Sequence, residues 1–322
     1  MKTTLSTVAI VGPGAIGCLF GALIGGAGHS VIMLDIRPER AEKINRDGIR
    51  VEGISGRRTV KVKATARPAD VSGCDVAVIA TKSYDTEAAV RSVADVIGSR
   101  TPVLTLQNGL GNVELIAHAV GTERTIGGIT SQGATLVADG SIVHAGAGKT
   151  VIGTPSGRLT ENLKRVRDIL DSAGFSAEVS DDLDGAVWGK LVINVGINAL
   201  TAITRLNNGR LLEFEGTREV MREAVAEAVA VAKARGIRLA HKDPLAQVEE
   251  VCRLTATNVS SMLQDILAKR RTEIDAINGA MAKIGNELGV PAPVNSLLTS
   301  LVHTIESSYA LQVQRQTTAP GK

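Results

Sequence analysis

Aromatic side chains are scarce in this chain: three Phe, two Tyr and one Trp in 322 residues. Any core must therefore be built from Ala, Val, Ile and Leu, and a hydrophobic content of 44% supplies enough of them. An excess of either charge is missing too. The 36 basic and 33 acidic residues leave a formal net charge of +3, which makes no electrostatic case for nucleic-acid or membrane partners. Cysteine is sparse. Cys18, Cys74 and Cys252 lie far apart among apolar neighbours, in no metal-ligand spacing. They read as buried free thiols in a reducing compartment, and no metal is expected. The longest apolar run is broken by glycines and by His29, which argues against a transmembrane span. The first residues hold one lysine and then a strand pattern interrupted by Gly12, Pro13 and Gly14, unlike a secretory signal. A cytoplasmic enzyme is the expectation.

What is present begins with the first thirty-five residues. Thr7–Val11 reads as a buried strand, Gly12-Pro13-Gly14-Ala15-Ile16-Gly17 as a Gly-x-Gly-x-x-Gly turn opening a helix, and Val31–Asp35 as a second strand ending in an acid. Each part has a role in holding a dinucleotide. Gly12 permits the tight turn, Gly14 lets the backbone approach a pyrophosphate, and Gly17 lets the helix pack close to the sheet. The helix points its unpaired N–H groups and positive dipole end at the phosphates. Asp35 is placed to accept hydrogen bonds from ribose hydroxyls.

Further along, Asp75–Ala80 and Pro102–Leu106 are apolar runs suited to parallel strands covered on both faces, each followed by helical periodicity. This rhythm predicts a doubly wound α/β sheet of the Rossmann type. In such sheets ligands collect beyond the carboxyl ends of the strands, where Thr81-Lys82 and Gln107-Asn108-Gly109 also fall. Residues 125–153 carry short β-rich segments with a hairpin signal at Asp139-Gly140, and are expected to be antiparallel additions to the sheet. From Asp181 onward only helical periodicity is seen, including one long segment over Ser261–Gly289. The expected organisation is a dinucleotide-binding domain over residues 1–180, an all-α substrate and dimerisation domain over 181–311, and a disordered tail over 312–322.

Lys190, Asn194 and Asn198 lie four residues apart in an otherwise apolar helix, so they share one face over three successive turns. Asparagine is a poor helix former, and burying these groups unpaired is costly. They are expected to line a polar cleft. A second cluster, Ser260-Ser261 with Asp265 and, about two turns on, Glu273, offers capping serines and a carboxylate that suits an acid–base pairing with Lys190.

These stretches carry a resemblance. Val8–Gly17, Thr81-Lys82, Gln107–Gly109, Trp188-Gly-Lys190 with Asn194 and Asn198–Thr201, and Ser260–Asp265 with Thr272–Gly279 are similar, in order, to motifs of the ketopantoate reductase (2-dehydropantoate 2-reductase) family. The resemblance extends to about residue 308. It implies an N-terminal Rossmann domain, a C-terminal helical domain, and NADPH-dependent reduction of 2-dehydropantoate to pantoate on the way to pantothenate and coenzyme A. It implies Lys190 as general acid and Glu273 as the acidic substrate-binding residue. Asn108, Asn194, Asn198 and Ser261 fall on its substrate-contacting positions, and Lys82 on a lysine near cofactor and substrate. The cofactor set is then Gly12, Pro13, Gly14, Ala15, Ile16, Gly17, Asp35, Arg37, Thr81, Lys82 and Asn108. One departure concerns the end of the second strand. The family usually has an arginine there for the NADPH 2′-phosphate, whereas this chain has Asp35-Ile36-Arg37. Asp35 leans toward NADH, and Arg37 keeps NADPH open. A dehydrogenase of another branched 2-oxo acid, or a dinucleotide sensor without turnover, are the competing readings. The expected partners are a small 2-oxo acid and a second copy of the chain.

Overall fold

The computed structural model describes residues 5–312, so the tail expected to be disordered lies, beyond Gln312, outside the described residues. The chain divides into two compact units between Lys190 and Leu191.

In chain order the first unit opens with β1 (Thr7–Val11), α1 (Ala15–Gly26), β2 (Ser30–Leu34), α2 (Pro38–Asp47) and β3 (Ile49–Gly53). It continues with β4 (Arg58–Val60), β5 (Lys63–Thr65), β6 (Val76–Ile79), α3 (Thr86–Ala94), β7 (Val103–Thr105) and α4 (Asn112–Val120). Then come β8 (Thr125–Thr130), β9 (Gly133–Ala138), β10 (Ser141–Gly146), β11 (Thr150–Gly153), α5 (Glu161–Ser172) and β12 (Ala177–Val179).

Among the described residues the main sheet has eight strands in the order β12-β11-β8-β7-β6-β1-β2-β5. All its neighbours pair in parallel except β8 with β11. Strand alternation sorts the core into two layers. Val8 and Ile10 of β1, with Val76 and Val78 of β6, enter the layer that holds α1 and α5. Ala9, Val11, Ala77 and Ile79 enter the opposite layer with α3 and α4. Both faces are covered, which is why these strands read as continuous apolar runs. The order reverses at β1, between β6 and β2, and this switch point is where a doubly wound sheet opens a crevice.

The β-rich stretch after residue 125 corrects the expectation. β8 and β11 do join the main sheet, but β8 runs parallel to β7. The β9–β10 hairpin leaves it and forms a separate four-stranded sheet in the order β4-β3-β10-β9, with β10 parallel to β3. This second sheet explains the composition of α1. The helix is packed on both sides, so it carries no charged residue. A side chain at Gly21 would sit 2.7 Å from Met33 Sδ, and one at Gly25 would sit 3.3 Å from Val60.

The second unit is helical among its described residues. It contains the end of α6 (Leu183–Thr204), then α7 (Glu215–Ala234), α8 (Pro244–Leu254), α9 (Ser261–Leu267), α10 (Asn278–Leu288) and α11 (Pro293–Ser307). By length and apolar composition α6 passes as a membrane span, yet most of it is buried within the protein. A Cβ at Gly196 would lie 2.8 Å from Val248 and 3.0 Å from Val225, so α6 packs closely on α7 and α8 there. A buried polar set ties the bundle together. Asn278 donates to the Val195 carbonyl and to Asn295 Oδ1, and Asn295 donates to the Ala224 carbonyl and to Glu227. The Glu227 carboxylate also accepts the backbone N–H groups of Val294 and Asn295, which caps α11 behind Pro293.

The single helix expected over Ser261–Gly289 is two helices. α9 stops at Leu267, a short 3-10 turn covers Ile274–Ala276, and α10 begins at Asn278. Lys269 holds a left-handed φ of 52°, and the Arg270 N–H returns to the Asp265 carbonyl at 2.9 Å. This is a Schellman stop built on lysine where glycine is usual. Glu273 therefore does not continue the face of Ser261 and Asp265. It is the residue that leads into the 3-10 turn.

Candidate active site

The glycine turn at the end of β1 shows why each glycine is there. Gly12 has φ +97°, and a Cβ on it would fall 2.7 Å from Thr81 Cγ2. On Gly17 a Cβ would fall 2.1 Å from the Gly12 carbonyl oxygen, so helix and turn meet only because Gly17 carries no side chain. At Gly14 a Cβ would meet nothing within 4 Å, which leaves the backbone open to a ligand. Gly14 is the N-cap of α1, and no side chain caps the helix. The first N–H groups of α1 thus have no capping side chain, as an anion-binding helix start requires. Buried Cys18 braces the turn by donating to the Pro13 carbonyl at 3.3 Å. Burial, with the Asp35 and Asp139 carboxylates adding to it, pushes its thiol up to about 12, so this is a structural thiol and not a nucleophile.

Asp35 closes β2 and is only 7% exposed. Its Oδ1 accepts the Arg37 N–H at 3.1 Å, and its Oδ2 lies 2.9 Å from Arg40 Nε. The Arg40 contact is close but poorly aligned as a hydrogen bond, so it acts as an ion pair. Arg37 reaches Asp139 at 2.8 Å and Arg40 reaches the same oxygen at 3.1 Å. Burial pushes the Asp35 carboxyl up, opposed by the Arg37 N–H and guanidinium. Asp35 and Arg37 stand out in the sequence, whereas Arg40 and Asp139 join them only through the fold. The Asp139-Gly140 pair is visible in the sequence only as a turn.

The other two polar clusters meet at the carboxyl ends of β6 and β7. Gln107 donates to the Thr81 carbonyl and to Thr86 Oγ1, both at 2.8 Å. Thr86 donates to Asn112 Oδ1 at 2.7 Å, and Asn112 donates to the Asn108 carbonyl at 3.0 Å. This chain of bonds fixes the loop that carries Asn108. Lys82 begins the short turn before α3. Lys190, on α6, donates to Asn108 Oδ1 at 2.8 Å and to the Thr130 carbonyl at 2.7 Å. Gln107 stands out in the sequence as part of the Gln107-Asn108-Gly109 cluster, whereas Asn112, Thr86 and Thr130 carry no signal of their own there.

In the second unit Asn198 is 5% exposed, and the carbonyl of Asn198 accepts from Thr201 at 2.9 Å. Thr201 and Ser260 share a hydrogen bond of 2.6 Å, and Ser260 caps α9 through the Leu263 N–H. Ser261 is the first residue of α9. Asn194 lies one turn before Asn198 on α6, and Glu273 is 7% exposed. Asp265 is 1% exposed and is held by Arg270 at 3.1 Å, which makes it a structural carboxylate. In the first unit, a cavity of about 570 Å³ lined by Asp75, Arg100 and Arg165 opens at the amino-terminal ends of β6 and β7, opposite to the ends that carry Thr81 and Gln107.

Comparison with known proteins identifies the family. The family description "Ketopantoate reductase PanE/ApbA" matches residues 8–157, and its C-terminal counterpart matches residues 182–306. A 2-dehydropantoate 2-reductase of Archaeoglobus fulgidus is 38% identical, over 93% of this chain and 98% of that one. The crystal structure of a PanE/ApbA family ketopantoate reductase from Ralstonia eutropha JMP134 superposes with a TM-score of 0.87 at 34% identity, covering 94% of this chain and 99% of that one. D-mandelate dehydrogenase, in a ternary structure with NADH and anilino(oxo)acetate, superposes with a TM-score of 0.89 at 27% identity, covering 95% and 100%. Matched in both its parts and along nearly its whole length, the chain belongs to the ketopantoate reductase family of oxidoreductases.

Proposed function

We propose that this enzyme reduces 2-dehydropantoate to pantoate with a reduced nicotinamide dinucleotide, with Lys190 as the general acid. The observation that carries the proposal is the position of Lys190, whose ammonium donates to Asn108 Oδ1 and to the Thr130 carbonyl at the carboxyl ends of β7 and β8. A bound dinucleotide supplies hydride to the ketone carbon. Negative charge then builds on the ketone oxygen, and an ammonium held beside it stabilises that charge and delivers the proton. The open backbone at Gly14 and the start of α1 would hold the pyrophosphate, with Pro13, Ala15 and Ile16 shaping the turn. Thr81, Lys82 and Asn108 would border the nicotinamide end. Asn194, Asn198 and Ser261 would bind the substrate's polar groups without titrating, and Glu273 would accept from its hydroxyl.

NADH is the preferred cofactor in this reading. Asp35 directly follows β2, where its carboxylate would meet the adenosine ribose, and both nearby arginines are engaged by carboxylates. A cytoplasmic location is supported by three buried, unbridged cysteines, and a symmetric homodimer is the assembly proposed. The second reading, another branched 2-oxo acid as substrate, is favoured by the likeness to a dehydrogenase solved with an oxo acid analogue. One assay decides between them. Loss of reduced-nicotinamide absorbance is followed with 2-dehydropantoate and a panel of 2-oxo acids. The highest kcat/KM with 2-dehydropantoate is expected. A higher value for another acid selects the second reading, and no turnover with any of them rejects both.

A further inference from the structure

We propose that Asp139, at the tip of the β9–β10 hairpin, sets the choice between the two nicotinamide dinucleotides by holding Arg37 and Arg40 away from a ribose 2′-phosphate. The inference rests on the reading of the glycine turn and Asp35 as a dinucleotide site. One Asp139 oxygen lies 2.8 Å from Arg37 Nη2 and 3.1 Å from Arg40 Nε. Arg40 also spans to Asp35 Oδ2 at 2.9 Å and reaches the Pro13 carbonyl at 3.4 Å, which places this cluster at the glycine turn itself. Two carboxylates and two guanidiniums sum to zero charge. A guanidinium is the side chain best shaped to grip a phosphate, through parallel N–H donors. Here the outer one, Arg37, is 41% exposed yet already bonded to an acid. A 2′-phosphate at this place would have to displace Asp139 from Arg37 while meeting two carboxylates. A ribose hydroxyl meets no such cost.

The hairpin is held firmly enough to act as a fixed restraint. The Gly140 carbonyl accepts the Arg50 N–H at 2.8 Å, and β10 pairs in register with β3 from Ser141 opposite Arg50. Gly140 has φ +72°, and a Cβ on it would lie 3.2 Å from Ile44 of α2. The second sheet therefore brings Asp139 to α2, the helix that carries Arg40, across 102 residues of sequence from Arg37.

Removing the Asp139 charge makes the cluster net positive and releases Arg37. The test is calorimetric titration of wild type and Asp139→Asn with adenosine 2′,5′-bisphosphate, ADP, NADPH and NADH. The bisphosphate and NADPH are expected to bind the variant at least about tenfold more tightly, the worth of one new charge-assisted contact. ADP and NADH should stay within about twofold, which also shows that the variant is folded. Asp139→Ser should behave alike, and adding Arg37→Ala to Asp139→Asn should erase the gain. An unchanged NADPH-to-NADH affinity ratio in both single variants overturns the proposal and leaves the dinucleotide site standing. If the wild type binds neither dinucleotide, the reading of the site falls and this proposal with it.

Discussion

At the scale of single residues, the proposed role of Lys190 rests both on its ammonium and on the groups that hold it. Two acceptors from different strand ends, Asn108 after β7 and Thr130 at the end of β8, seat one ammonium. Lys190→Ala is expected to lower kcat by about 10²–10⁴, the usual contribution of a positioned acid. Dinucleotide affinity, measured by titration, should stay nearly constant, because the glycine turn is untouched. A kcat within a few-fold of wild type would refute the assignment. Asn108→Ala should fall between, since Thr130 still holds the lysine. Glu273→Gln should act mainly on KM, as it keeps the shape and one acceptor of the proposed substrate-binding group.

At the scale of elements, the break between α9 and α10 is the feature that periodicity concealed. Apolar residues keep a helical spacing through the segment, and no Gly or Pro punctuates residues 261–278. The stop is made instead by Lys269 in a left-handed conformation and by Glu306, whose carboxylate accepts the Thr272 N–H at 2.7 Å. A side chain in that conformation costs about 1 kcal/mol relative to glycine. Lys269→Gly should therefore stabilise the protein by up to about 1 kcal/mol, less the entropy that glycine gains in the unfolded chain. Denaturant unfolding monitored by circular dichroism measures this. A loss of more than 1 kcal/mol would mean that the lysine side chain itself does the holding.

At the scale of the whole molecule, two buried histidines tie stability to pH. His29 accepts the Ser6 N–H on Nδ1 at 3.1 Å and lies 2.9 Å from Ser172 Oγ through Nε2, so the folded protein uses its neutral form. His144, in β10, meets Gln132 at 3.0 Å. Burial lowers both below the ordinary value of 6.5. Between that value and the lower folded one, the unfolded chain binds protons that the folded chain does not, so stability falls as pH falls. The melting temperature should be level just above pH 6.5 and decline below it. His29→Gln with His144→Gln should flatten that decline. If the slope is the same in the double variant, the carboxylates carry it.

The amino-acid sequence by itself determined what depends on neighbours within a few residues. The glycine turn, the doubly covered strands, and the register of Lys190 with Asn194 and Asn198 all follow from spacing, because backbone sterics and helical pitch act locally. The family likeness, carried by several such stretches in order, was legible for the same reason. Tertiary structure alone decided which partner each element met. An alternating pattern marks β9 and β10 as strands, but not that β10 pairs with β3 and carries β9 into a second sheet. Lys190 and Asn108 lie 82 residues apart, and Arg37 and Asp139 lie 102 apart. Contacts of that separation are fixed by the packing of α1 between two sheets and by chain closure over long loops. No local propensity encodes either of these.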